Sequence, residues 1–230
     1  MLKLIRLEIK KNKLIHYLKG VVIANMAFIG LLCLIYFLEK NDGNIPFDSY
    51  DMAFTIIGTM VRATFIVFAS VLIVRLIIEE YKTKSIEVLF TYPINRKKIM
   101  MAKFGIIMGF TFATVLLSSL FIGGLFYVAD SIIQFVPSEL SKEDLNDHLM
   151  NMFVGALATA GLSLIPIFFG MRKKSGAATI VSSIILVLFT NSTSNDFSLF
   201  SIIAIPITLG FIGVSIAFLS IKNIEKADVN

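Results

Sequence analysis

An all-α membrane protein of six transmembrane helices, with both termini in the cytoplasm, is predicted by three features of the sequence: its apolar content, the lengths of its apolar runs and the side on which its basic residues collect. Hydrophobic residues make up 57% of the 230 positions, including 21 phenylalanines, and the mean hydropathy is +0.84. A soluble domain has too little interior to hide that much apolar surface. Apolar runs at about 17–38, 56–78, 104–128, 149–169, 171–190 and 197–219 alternate with polar segments, and most reach the ~20 residues a helix needs to cross the hydrocarbon. Of the 21 Lys and Arg, six fall up to Lys19, seven between Arg75 and Lys103, three at Arg172 to Lys174 and two in the tail. Segments rich in Lys and Arg stay on the cytoplasmic side, which fixes the orientation. Only Lys40 and Lys142 fall outside, and Arg62 within a span. The net charge of +5 therefore reads as a topological signal and not as a nucleic-acid surface. The whole chain, 1–230, is one transmembrane domain.

Residues 1–16 place Leu2, Ile5, Leu7 and Ile9 among Lys3, Arg6, Lys10, Lys11 and Lys13. This suits either an amphipathic helix lying along an anionic inner leaflet or a simple topogenic charge cluster. The apolar run that follows lacks a small-residue cleavage pattern, so it is read as a retained span. An acidic turn from Glu39 to Asp51, punctuated by Asp42-Gly43 and Pro46, leads into the second span. Its 23 residues would reach ~34 Å as a helix, enough to cross with some tilt.

Residues 79–103 form the longest polar interruption on the basic side. The stretch leaves the second span through Glu79 and Glu80 and carries a short amphipathic piece with Glu87 and with Ile86, Leu89 and Phe90 on one face. It breaks at Pro93, a residue suited to a first helical turn. It restarts as Ile94 to Met101, with Arg96, Lys97 and Lys98 between apolar neighbours, the pattern of a segment lying in a membrane interface.

The third span opens with Gly105, Gly109 and Ala113 at i, i+4 and i+8. Such a stripe lets helices approach closely, either within the subunit or against a second copy. The loop from Ala129 to His148 is acidic, with Asp130 among its carboxylates, and Ser141 to Asp144 has capping-box spacing, which predicts a short outer helix before the fourth span. Pro166 should kink that span near its inner end, and Met171 to Lys174 make a tight basic turn. The fifth run, Gly176 to Thr190, is only 15 residues or ~22 Å, so the polar stretch Asn191 to Asn195 should lie below the outer surface. The last span carries Pro206 and Gly210 as bend points.

Chemistry of its own is not expected of this chain. It has no GxxxxGK[ST] loop to cradle nucleotide phosphates, so any ATP must be hydrolysed by another polypeptide. The acidic pair Glu79-Glu80 could suggest an intramembrane protease, but His16 and His148 sit at or outside membrane ends and cannot complete a catalytic or metal cluster. The single Cys33 excludes an intrachain disulfide. Arg62, some six residues below the outer end of its span, either snorkels ~9 Å to the headgroups or lines a translocation cavity.

The order acidic pair, short amphipathic helix with Glu87, Leu89-Phe90, Thr91-Tyr92-Pro93, Asn95-Arg96 and then Lys103 resembles the loop between spans two and three of type-2 ABC permeases. One departure is Lys84-Ser85, where the family usually has Gly-Thr. The resemblance implies that Glu79, Glu80, Glu87, Leu89, Phe90, Pro93, Ile94 and Arg96 couple the spans to a cytoplasmic ABC ATPase. It further implies ATP and Mg bound by that partner, pairing with a second permease copy or homologue, and a bacterial plasma membrane. Among such permeases are exporters of amphipathic peptides, including the phenol-soluble modulins, that confer antimicrobial resistance. A non-transporting membrane scaffold or sensor, binding a cytoplasmic partner through the same loop, is the competing expectation.

Overall fold

A bilayer core offers no water to backbone N–H and C=O groups, so an apolar run must satisfy them within itself, as a helix does. The computed structural model describes residues 2–12, 15–41, 47, 49–83, 96–133, 136–137, 142–191, 193–194, 197–198 and 204–222. Helices α1 (Leu2–Lys11) and α2 (Ile15–Asn41) open the chain, and α3 (Tyr50–Ile73) runs through a π-helical turn at Val74–Ile78 into α4 (Glu79–Lys82). Then come α5 (Arg96–Ile133), α6 (Lys142–Leu162), α7 (Pro166–Lys173) and α8 (Gly176–Thr190). An antiparallel pair, β1 (Thr193–Ser194) and β2 (Phe197–Ser198), with Thr193 opposite Ser198, precedes α9 (Ala204–Lys222).

Among the described residues four helical stretches are long and apolar enough to cross a membrane: His16–Asn41, Tyr50–Lys82, Lys97–Ile133 and Asp144–Lys173. The two shorter apolar helices, α8 with 15 residues and α9 with 19, would reach ~22 and ~28 Å. α8 has the bounds Gly176–Thr190 of the fifth run, but the span at about 171–190 is not one helix, because Met171 to Lys173 end α7 and Lys174 closes it.

Several boundaries differ from the sequence reading, each for a local reason. The second span begins at Tyr50, not near 56, because Ser49 caps it, its Oγ accepting from Met52 N at 3.3 Å. The piece expected to lie in the interface, Arg96 to Met101, is the first part of α5, a continuous helix of 38 residues. Asp130 belongs to α5 and is buried: its carboxylate accepts from the Tyr50 hydroxyl and, at 2.9 Å, from Val136 N. The expected separate outer helix is instead the first turns of α6. Pro166 does break the fourth span, through a turn at Ser163–Ile165, and occupies the first turn of α7. Lys174, at φ 45°, closes α7 in a left-handed cap, with Ser175 N donating to the Gly170 carbonyl at 3.3 Å. The last span does not start at 197, since Phe197 and Ser198 are in β2. Pro206 falls in the first turn of α9, where a missing N–H costs nothing, so it makes no bend.

α3 is the central helix, packing against α5, α6 and α8. One core layer gathers Leu72, Ile73, Leu76, Ile77, Met100, Ile107 and Ile167 near its π-helical end. A second gathers Phe54, Ile57, Val61, Phe65, Val115 and Ala156 toward its start. Polar side chains also join helices, as in Ser183 Oγ donating to Ser70 Oγ at 3.0 Å between α8 and α3. By contrast the stripe Gly105, Gly109 and Ala113 is exposed, with open space beside both glycines, so it is not packed within the subunit. The close approach is between α6 and α9. A Cβ on Gly161 would sit 2.5 Å from the Gly210 carbonyl oxygen, and one on Gly213 would strike the Gly161 carbonyl oxygen. Without a hydrophobic force between helices in lipid, this backbone contact is what holds α9.

Gly161→Ala should therefore destabilise the protein by ~1–3 kcal/mol in detergent unfolding, as overpacking does. Gly109→Ala should be neutral or stabilising by up to ~1 kcal/mol, because Ala is the better helix former. Equal effects at the two positions would refute the assignment of the α6–α9 contact.

Candidate functional site

Two polar places are built into the bundle, one at each end of α3. At the π-helical end, Glu80 of α4 is buried and Lys103 of α5 is fully buried, at 0% exposure. A π-turn widens the helix and perturbs the i→i−4 ladder, and the Leu76 carbonyl within it accepts from Lys103 Nζ at 2.6 Å. The same ammonium pairs with Glu80 Oε2. The other carboxylate oxygen, Oε1, accepts from Lys11 Nζ of α1 at 2.8 Å. Glu80 thus joins α4 to α5 and brings in the N-terminal helix. A lone buried charge would be costly, and it is the pairing and the extra hydrogen bonds that make Lys103 tolerable.

α1 is a helix, a form compatible with both sequence readings of residues 1–16. Its Ile5 packs on the core layer at the π-helical end of α3 and Glu8 is buried, while Leu7 remains 64% exposed. Glu79 behaves unlike its neighbour, for it faces outward and pairs with Arg75 at 2.6 Å, both side chains about half exposed. A pair of that kind contributes little. Of the remaining coupling candidates, Arg96 starts α5, whereas Glu87, Leu89, Phe90, Pro93 and Ile94 lie outside the described residues. Those residues are bracketed by α4 and α5, the two helices that Glu80 and Lys103 tie together.

At the opposite end, a cavity of about 290 Å³ opens between α3, α5, α6 and the start of α9. Arg62 lines it, with Ser119 of α5, His148 and Asn151 of α6 and Pro206 of α9. Its Nη2 donates to Thr59 Oγ1 at 3.1 Å, and a Cβ on Gly58 would come within 2.9 Å of Nη1, so the bare glycine makes room for the guanidinium. A helical side chain leans toward the N-terminus of its helix, and here that lean carries Arg62 toward the mouth through protein rather than through lipid. At the mouth His148 Nε2 lies 2.9 Å from Asp51 Oδ1, off the line of a hydrogen bond, and its ring packs against Phe54 at 4.7 Å.

The sequence reading missed Lys103 as a site residue and Lys11 as its neighbour. A signal was present: a lysine between Ala102 and Phe104 at the start of a long apolar run must find a partner or stay out of the membrane.

The clamp generates a graded expectation. Glu80→Ala, which leaves Lys103 buried and alone, should cost ~3–5 kcal/mol in detergent unfolding, and Glu80→Leu combined with Lys103→Met should recover most of it. Glu79→Ala should cost at most ~1 kcal/mol.

Residues 4–191 match the family described as ABC-2 family transporter protein. The chain is also 48% identical, over 227 residues, to the uncharacterized protein YcbO of Bacillus subtilis (strain 168), covering 99% of this chain and 100% of that protein. No solved structure matches it. With long apolar helices arranged around polar sites and a family match over most of its length, the chain is a multi-pass membrane protein that belongs to the ABC-2 transporter family.

Proposed function

We propose that this chain is the membrane-spanning permease subunit of an ATP-driven ABC exporter that moves amphipathic peptides or other hydrophobic compounds out of the cell, as antimicrobial-resistance exporters do. It is not itself an enzyme; ATP and Mg are held and hydrolysed by a separate cytoplasmic ABC ATPase. Six crossings, with both termini in the cytoplasm, follow if α8 and α9 span with the four longer helices. A second copy or a homologue completes the translocation unit across a two-fold axis.

The observation that carries this reading is the buried clamp across the stems of segment 84–95. Glu80 and Lys103 bind the helix before that segment to the helix after it. A push from the ATPase on residues 84–95 would then move α4 and α5 together, and with them the inner core layer, instead of bending a loop. Such a transition needs contacts that differ between the two nucleotide states of the partner. In this reading Glu79, about half exposed on the same turn, meets that partner, and Glu87, Leu89, Phe90, Pro93, Ile94 and Arg96 form the docking surface. The cavity around Arg62 supplies a polar stage on the way out.

Phe90→Ala tests the docking. Truncating a buried aromatic anchor commonly costs ~2 kcal/mol or more, so copurification of the ATPase should weaken by more than tenfold, or hydrolysis should uncouple from export. Wild-type copurification together with wild-type export would sink the coupling role of the segment. Arg62→Leu should insert and fold normally yet export more slowly, as measured with a fluorescent amphipathic peptide in inverted vesicles; an unchanged rate would remove the cavity from the route.

A further inference from the structure

We infer that the basic turn joining α7 to α8, Arg172 to Lys174, binds the headgroup of an anionic phospholipid in the leaflet it borders, with Phe168 and Phe169 against the lipid's first carbons. The turn is rigidly built. Lys174 takes the left-handed conformation that caps α7, and Ser175 caps α8, its Oγ accepting from Ala178 N at 3.5 Å. A Cβ on Gly170 would strike Thr179 Oγ1 and Ile78, and one on Gly176 would lie 2.9 Å from Val74 Cγ1. α7, α8 and the π-helical turn thus meet without spare room, which holds the three basic residues at the same end of the bundle as the Glu80–Lys103 clamp.

Charge selects an anion. The described carboxylates at this end are Glu8, Glu79 and Glu80, and each is engaged elsewhere. Glu79 pairs with Arg75, Glu80 with Lys11 and Lys103, and Glu8 accepts from Asn12 on α1. Those three anions balance Lys11, Arg75 and Lys103. Among the described residues no carboxylate pairs with Arg172, Lys173 or Lys174, and all three are exposed, so the turn carries a local excess of positive charge.

Position selects a lipid over a free ion. Phe168 and Phe169 come four residues before Arg172 and Lys173, and so share their face of α7. They are 39% and 46% exposed, with their rings edge-on at 5.5 Å. α8 leaves the turn with Val181, Ile184, Ile185 and Leu188 exposed in their turn. Basic side chains one turn beyond exposed rings reach from the edge of the hydrocarbon into the headgroups, while the rings stay with the acyl chains. A free phosphate would have no use for those rings. Each cation near a membrane surface favours anionic lipid about fivefold.

The chain has no tryptophan, so Phe169→Trp places a single indole beside the turn, and Phe189→Trp, in a separate protein, places one at the far end of α8. In phosphatidylcholine vesicles, dibrominated phosphatidylglycerol should quench the first at a mole fraction at least about tenfold lower than dibrominated phosphatidylcholine, and the second equally with both. Arg172→Gln and Lys173→Gln, made singly so that the turn stays basic and keeps its orientation, should each reduce the preference about fivefold. Millimolar inorganic phosphate should leave it unchanged. Equal quenching beside the turn, an equal preference at the far end of α8, or a preference that survives both substitutions would overturn the site. Relief by inorganic phosphate would assign it to a free anion instead, and equal quenching with loss of ATPase copurification on Arg172→Gln would assign it to that partner. If Phe169→Trp does not fold, native mass spectrometry of the unaltered chain and of Arg172→Gln gives the same comparison, and equal retention of both lipids overturns the site.

Discussion

A lysine with no solvent exposure inside a membrane protein constrains everything around it. Lys103 must keep its charge satisfied in surroundings of low dielectric constant, and it does so with one carboxylate and one backbone carbonyl. The carbonyl comes from a distorted turn of α3, the carboxylate from the helix that continues it, and that carboxylate's second oxygen recruits the N-terminal helix. Three segments distant in sequence, α1, the continuous α3–α4 helix and α5, are therefore joined through one buried ion-pair cluster. The clamp sits near the start of the longest helix.

Lipid as solvent explains the rest of the architecture. Apolar side chains gain nothing by leaving lipid for protein, so contacts between helices come from close backbone approach and shared polar atoms. The α6–α9 glycine contact, the Ser70–Ser183 bond and the Tyr50–Asp130 bond are of this type. α2, with only 11% of its central window buried, has few such contacts and faces outward along most of its length.

Those two kinds of force also decide what could be read from the sequence. Apolar runs become helices wherever no water is present, so the existence of the helices, the bounds of Gly176–Thr190 and the break before Pro166 were legible from length and residue type. Pairing was not. Nothing in the neighbourhood of Glu79 and Glu80 says which one turns inward, because a π-turn just upstream resets the helical phase. Asp130 looked like one more loop carboxylate until a tyrosine some eighty positions away bound it. The Gly105–Gly109–Ala113 stripe had the spacing of a contact face but opens outward, while the working contact pairs Gly161 with Gly210 and Gly213, glycines that no single-helix pattern links. The stretch from Glu87 to Ile94, which the sequence reading assigns to coupling, lies outside the described residues.

The 38 residues of α5 amount to a rod ~57 Å long, about twice the hydrocarbon thickness. A helix so long cannot sit wholly in the hydrocarbon and must stand proud of the bilayer. Tilting such a rod by roughly 10° about its middle would shift each end by about 5 Å in opposite directions. Lys103 sits in the third turn of that rod, and Ser119 of the Arg62 cavity lies just past its middle. The tilt that carries the ends by about 5 Å would therefore carry Lys103 by about 3 Å and Ser119 by only about 1 Å, so the clamp end swings while the wall of the cavity stays nearly in place.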